Sequence, residues 1–284
     1  MTSGDGWTTC VAGHRHWGLF GAAGLLLRTP ADEPPAVALQ LRAERSHHGG
    51  TWGILGGARD GDETAVQAAL REAGEEATVA PERVAVEATY VDDHGGWAYT
   101  TVVATASSSM GLAARNWESD DVRWVPLGEV DALDLHPGFA RTWPLLRAVG
   151  PAPVVVVDAA NVMGSRPDGW WKDRAGAAGR LRDELARASG TGVAGLGDGE
   201  VRGLRSFPRF LLVVEGRARD VGGVDGVEVV GTGGSGDDAV VAAVAEHAGS
   251  GRPLVVVTAD RELRARVGDL GAAVLGPRSL LDLL

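Results

Sequence analysis

Residues 52–79 read WGILGGARDGDETAVQAALREAGEEATV: an apolar strand, a glycine turn, then a segment of helical periodicity from Glu63 to Ala77. Residues three and four apart share a helix face, so Glu72, Glu75 and Glu76 converge on one patch. Val66, Ala69, Leu70 and Ala73 form an opposing apolar stripe, which predicts that the acids point away from the core. Carboxylates so placed repel one another by about a few tenths of a kcal/mol per pair. A hard cation, Mg²⁺ or Mn²⁺, reverses that sign, because it takes carboxylate oxygens and keeps water and substrate phosphates as its other ligands. A solvated acidic face explains many such patterns. Here the Gly56-Gly57 turn, which lets a backbone carbonyl approach a metal, favours the cation.

Working outward, Gly18 to Leu27 and Ala36 to Arg42 read as strands of a hairpin-like pair separated by the turn-rich TPADEPP, where proline forbids ladder donation. After the helix, Val84 to Val91, Trp97 to Ala106 and Val122 to Val125 return to strand character, giving a mixed α+β domain. A last short helix lies in LHPGFARTWPLLRAVGPAP, whose Gly150, Pro151 and Pro153 place a boundary near residue 150. Beyond it, strands at Val154–Val157, Phe210–Val214, Val227–Val230, Leu254–Val257 and Ala272–Leu275 alternate with helices, including Ala175–Ala188 and Asp238–His247. Near-continuous Val and Leu strands of this kind predict a buried parallel sheet covered on both faces.

The 284 residues suit two domains, and 44% hydrophobic with 23% charged residues is ordinary globular composition. Cys10 is the single cysteine, which excludes an internal disulfide, leaves no cysteine set for structural zinc and fits a reducing cytoplasm. No apolar run approaches the roughly 18 residues of a membrane span, and MTSGDGWTTC lacks a basic leader, so neither anchor nor signal peptide is expected. The net charge of -11 disfavours indiscriminate adhesion to nucleic acid or anionic lipid and leaves room only for a local basic groove. Residues 1–150 carry 11 Lys+Arg against 20 Asp+Glu, net -9, and the remainder 16 against 18, net -2, so the net negative charge is concentrated in the first half.

At the required spacings, Gly57, Glu63, Arg71, Glu72, Glu75, Glu76 and Val79 closely resemble the Nudix box, G-x5-E-x7-R-E-U-x-E-E-x-G-U, where U is a bulky aliphatic residue. The resemblance implies a Nudix hydrolase fold over residues 14–149 and Mg²⁺-dependent cleavage of a nucleoside diphosphate linked to another group. It also implies that Glu72, Glu75 and Glu76 ligate metal with the Gly57 carbonyl, and that Glu63 pairs with Arg71. Ala73 and Thr78 depart from the pattern. A β-branched residue disfavours positive φ, so the helix should end without a left-handed cap. Glu75, Glu76 and the loop residue Glu118 are the candidates for the proton acceptor. Trp52, Trp97 and Trp117 are candidates for stacking a base, or for the core.

In the second half, Asp158 follows VVVV, Glu215 follows LLVV, Asp260 follows VVVT, and Asp237-Asp238 opens a helix. Carboxyl ends of parallel strands share one edge, so these acids gather where ligands bind in such sheets. Capping of the following helices is the alternative. Gly231-Thr-Gly233-Gly-Ser-Gly236 formally satisfies G-x-G-x-x-G, but the two aspartates that follow would repel a pyrophosphate. VVVVDAANVMGS, VVEG, GSGDDAVVAAV and VVVTADREL resemble the NYN branch of the PIN-like nucleases over residues 153–284. That resemblance implies a metal-dependent ribonuclease with Asp158, Asp237, Asp238 and Asp260 as Mg²⁺ ligands and Asn161 and Thr258 in support; Glu215 replaces a more usual aspartate. Arg174, Arg180, Arg182, Arg187, Arg202, Arg205 and Arg209 are candidates to line a path for RNA, and Trp170-Trp171 to stack bases.

The reading is an α/β protein: an α+β Nudix pyrophosphohydrolase fused to an α/β PIN-like ribonuclease, with a small nucleotide substrate and RNA as partner classes, and no membrane. The rival readings are a ligand-sensing Nudix module that regulates the nuclease, and a PIN-like half that serves as an RNA-binding scaffold. No oligomeric state follows from the pattern.

Overall fold

A computed structural model describes residues 2–196 and 201–284, and the chain divides into two compact units, Met1–Val149 and Gly150–Leu284. The first unit contains β1 (Trp7–Thr9), β2 (Arg15–Trp17), β3 (Ala22–Arg28), β4 (Ala36–Arg42), β5 (Trp52–Gly53), β6 (Leu55–Ala58), α1 (Ala65–Glu76), β7 (Val84–Asp93), β8 (Ala98–Ala106), β9 (Ser119–Pro126) and α2 (Pro137–Leu146). Its mixed sheet runs β7-β8-β3-β4-β5, with β6 paired to β3 and β9 to β4. β3 lies parallel to β8 over Ala22–Arg28 and meets β4 only at Arg28↔Val37, so the hairpin expected from residues 18–42 is reduced to its closing pair. The strand also starts later than expected. Gly18, at φ +105°, begins a turn closed by Gly21 N–H on its carbonyl at 3.3 Å, and a Cβ there would lie 2.4 Å from the Gly21 oxygen.

The helix α1 starts at a capping box: the Thr64 hydroxyl accepts from Gln67 N–H at 3.2 Å while the Gln67 side chain accepts from Thr64 N–H at 2.9 Å. Ala68, Ala69 and Ala73 are wholly buried against Leu25, Leu27 and Leu55 of the sheet, whereas Val66 and Leu70 only flank that cluster. Small side chains on the inner face bring the helix close to β3 and β6.

The second unit contains β10 (Val154–Asp158), α3 (Ala159–Gly164), α4 (Arg174–Thr191), β11 (Leu204–Ser206), β12 (Arg209–Glu215), β13 (Val227–Thr232), α5 (Gly236–His247), β14 (Leu254–Val257), α6 (Arg261–Gly268), β15 (Ala273–Leu275) and α7 (Pro277–Leu283). Its sheet has the order β13-β12-β10-β14-β15, with every neighbouring pair parallel. Alternation sends Val155, Val157 and Leu212 to a core with α3, α4 and α7, and Val154, Val156 and Leu211 to a core with α5 and α6. The chain leaves β10 toward β12 on one side and returns to β14 on the other, which makes the carboxyl end of β10 the point where strand order reverses. Among the described residues, no helix is long and apolar enough to cross a membrane.

Candidate active site

The acids of α1 do not all face solvent. Glu76 is only 3% exposed, against the expectation from the apolar stripe, because Gln40 of β4 supplies it with a polar niche inside the sheet. Gln40 Nε2 donates to both Glu76 oxygens at 3.3 and 3.2 Å and to the Ile54 carbonyl at 3.1 Å, while Gly56 N–H donates to Glu76 Oε2 at 2.7 Å. The Ser119 hydroxyl fixes the orientation of the amide by donating to Gln40 Oε1. Burial, opposed by the Gly56 bond and reinforced by the charge of Glu72, pushes the Glu76 carboxyl up to about 8.

Glu72 is half-buried, and burial raises its carboxyl above the usual range against the pull of Arg71, with the charges of Glu75 and Glu118 adding to the rise. Its carboxylate lies against the backbone at Gly57, where an added Cβ would sit 2.6 Å from it. Any larger residue would displace it. Glu75 is exposed. The charge of Glu72 thus reaches Glu76, and those of Glu75 and of Glu118, on the loop before β9, reach Glu72.

Arg71 ties this helix face to the preceding loop. Its Nε and NH2 engage Glu63 at 2.7 and 2.9 Å, NH2 also donates to the Ala58 carbonyl at 3.0 Å, and NH1 donates to Glu72 at 2.9 Å and Glu75 at 3.2 Å. The Arg71 hydrogen bond holds the Glu63 carboxyl below its ordinary value.

In the second unit, Asp158 is 7% exposed at the end of β10 and accepts from Thr258 Oγ1 at 3.0 Å, Asn161 Nδ2 at 2.6 Å and Asn161 N–H at 3.1 Å. Asp260 caps α6 through Leu263 N–H at 2.8 Å, and Glu215 accepts from the N–H of Gly236, the first residue of α5, at 3.0 Å, while Ser235 caps that helix. Burial, then the charges of Asp158 and Asp260, raise the Asp237 carboxyl, with Glu215 contributing last. Asp158, Asp237, Asp260 and Glu215 thus share one edge. Asp238 is diverted from it: the exposed side chain is ion-paired to Arg266 at 2.6 Å. A cavity of about 650 Å³ beside Asn161 is lined by Gly164, Ser165, Ala259 and Arg278.

A profile of the NUDIX domain matches residues 19–148. A Mycobacterium tuberculosis protein described as "Putative 8-oxo-dGTP diphosphatase 3" is 52% identical over 151 residues, which cover 51% of this chain and 69% of that protein. The chain belongs to the Nudix family. A "Nucleoside triphosphate pyrophosphatase/Nudix hydrolase fusion protein" of Bifidobacterium longum is 42% identical over 150 residues, 51% of this chain and 31% of that one. Among solved structures, a Nudix hydrolase from M. smegmatis, RenU, is 46% identical and covers 51% of this chain and 94% of its own, with a TM-score of 0.48.

The two departures from the Nudix box have local reasons. Ala73 is the wholly buried residue that lets α1 approach the sheet, where a bulkier side chain has no room. The helix ends on Ala77 at φ −140°, without a left-handed cap. Thr78 then ties the next loop, donating to the Gly111 carbonyl at 2.8 Å and accepting from Ala113 N–H at 3.1 Å.

Of the tryptophans, Trp52 is buried under the Arg123 guanidinium at 4.6 Å, Trp97 stacks on His16, and Trp117 is 62% exposed with Arg45 over its ring at 5.3 Å. Nothing in the sequence pattern marks Gln40 of the Nudix domain as a site residue beyond its being a lone amide inside the apolar run AVALQLR. Two of the arginines considered for RNA are engaged locally: Arg182 with Asp183 at 2.7 Å and the Gly222 carbonyl at 2.9 Å, and Arg205 with the carbonyls of Thr191 and Gly192.

Proposed function

We propose that the Nudix domain hydrolyses a phosphoanhydride bond of a nucleoside diphosphate derivative, with Mg²⁺ or Mn²⁺ held by Glu72, Glu75, Glu76 and the Gly57 carbonyl. The observation that carries this reading is the buried Glu76 carboxylate, with Glu72 beside it and Glu75 and Glu118 adding to the repulsion. These are hard oxygen donors whose mutual repulsion a divalent cation removes, and they fit such an ion. When bound, the cation neutralises the phosphates and lowers the pKa of a water molecule. The chain's own residues position: Gln40 and Gly56 N–H orient Glu76, and the Arg71–Glu63 pair keeps the 58–63 loop on α1. Glu75 and Glu118, the exposed carboxylates, are better placed than Glu76 to accept a proton from water.

The relative's name makes 8-oxo-dGTP the first substrate to try. A cleft of about 430 Å³ lined by Phe20, Arg59 and Trp97 offers an aromatic face for a base and a guanidinium for phosphate. The test is a Mg²⁺-supplemented screen of nucleoside triphosphates including 8-oxo-dGTP, ADP-ribose, dinucleotides and capped RNA with the full chain. No turnover of any of them refutes the hydrolase reading.

We further propose that residues 153–284 form a NYN/PIN-like domain that takes Mg²⁺ or Mn²⁺ and cuts single-stranded RNA in the cytoplasm. The support is the shared edge of Asp158, Asp237 and Asp260 where the strand order reverses. Asp238, held by Arg266, has the weaker claim as a ligand. RNA cleavage by the full chain that survives Asp158→Asn unchanged refutes this assignment.

A further inference from the structure

The hairpin β1–β2 precedes the Nudix sheet and plays no part in the reaction proposed above. Its register, Thr9↔Arg15 and Thr8↔His16, sets His14 just after the turn and His16 two residues on, so that both side chains fall on one face of the strand. The turn is closed by Gly13 N–H on the Cys10 carbonyl at 2.9 Å and Cys10 N–H on the His14 carbonyl at 3.0 Å, with Gly13 at φ +83°. Val11 N–H then donates to the Gly95 carbonyl at 2.9 Å, which docks the turn on the segment that carries His94.

This arrangement gathers four side chains: one donor atom from each of Cys10, His14, His16 and His94 lies within 4.8 Å of the others. Three further observations point to a ligand. His16 Nε2 is buried and makes no hydrogen bond, an unmet polar atom of the kind that an ion satisfies. The His16 ring is held flat on Trp97, with centroids 4.1 Å apart and an interplanar angle of 12°, and Trp97 is fixed by its indole N–H on the Gly18 carbonyl at 3.0 Å. Finally, His94 is held from its Nε2 side, where Asp92 Oδ2 and the Arg141 guanidinium each lie 3.3 Å from that nitrogen; in the tautomer that donates from Nε2, Asp92 orients the ring as carboxylates orient metal-bound histidines.

We propose that Cys10, His14, His16 and His94 form a four-ligand zinc site that staples the N-terminal hairpin to the loop after β7. A thiolate with three imidazoles is a donor set for Zn²⁺ and a poor one for Mg²⁺. Tetrahedral zinc needs donor spacings of roughly 3.3–3.6 Å from its bond lengths, a contraction within reach of side-chain rotation. With four protein ligands the site is closed, and its role is structural.

The test uses untagged full-length protein, stripped with chelator and titrated with Zn²⁺ and separately with Co²⁺. The wild type should retain one more equivalent of zinc per chain than Cys10→Ser. It should also show a near-ultraviolet thiolate-to-cobalt charge-transfer band that Cys10→Ser lacks, a signature that carboxylate sites cannot give. His14→Ala, at an exposed position, should stay folded by circular dichroism and bind Zn²⁺ at least about tenfold more weakly. Equal zinc retention by wild type and both variants, or no charge-transfer band in the wild type, overturns the proposal.

Discussion

Glu76→Gln separates what the buried acid costs the fold from what it does for the reaction. Glutamine is isosteric and keeps an acceptor for Gly56 N–H, but does not titrate. In the wild type the folded carboxyl is pushed from 4.5 up to about 8, so between these values the native state binds more protons than the unfolded state. Stability therefore falls as pH rises through this window, and the contribution is fully present only below pH 4.5. At pH 7 the accumulated penalty is about 3 kcal/mol. In EDTA, Glu76→Gln should raise the urea midpoint of the transition it affects by an amount corresponding to that figure, and the gain should vanish near pH 4. Saturating Mg²⁺ should stabilise the wild type and not the variant, because the ion relieves the same repulsion. A variant less stable than wild type at pH 7 in EDTA refutes the argument.

His136 caps α2 by accepting from Gly138 N–H at 3.1 Å, and burial, followed by the charges of His48 and Arg42, lowers it to about 4. Its contribution to stability is present above pH 6.5 and lost as pH falls toward 4; His136→Asn should flatten melting curves measured across that range. Arg71→Ala removes the clamp on the loop and leaves acids unpaired, and should lower kcat/KM at least about tenfold while hydrogen exchange rises in residues 58–63. Asp158→Asn keeps its partners Thr258 and Asn161 and should abolish metal-dependent RNA cleavage without altering nucleotide hydrolysis, measured on the same preparation.

The Nudix box was legible because one helix fixes the spacing of Glu72, Glu75 and Glu76, and helical geometry is local. The burial of Glu76 was not, since the niche is built by Gln40 and Ser119, which reach the helix only through the pairing of β4 with β9. The same limit governs the second unit. Periodicity predicts parallel strands with acids at their ends, yet Asp237 and Asp238 are neighbours, and only Arg266, 28 residues later, separates the one facing the acidic edge from the one facing away. Cys10 is one cysteine beside two strands of only three residues each, too short for an alternating pattern to show, and its histidine neighbours include His94, which folding alone brings near.

Whether Glu75 and Glu76 ligate the metal is decided by steady-state hydrolysis of 8-oxo-dGTP and dGTP by the full chain, with Mg²⁺ and with EDTA, for wild type, Glu75→Gln and Glu76→Gln. The wild type should release the nucleoside monophosphate and pyrophosphate only with Mg²⁺ and show no turnover in EDTA, and kcat should be at least about 100-fold lower in each variant, with circular dichroism unchanged. Wild-type rates in both variants, or hydrolysis that persists in EDTA, would contradict the assignment of these glutamates as metal ligands.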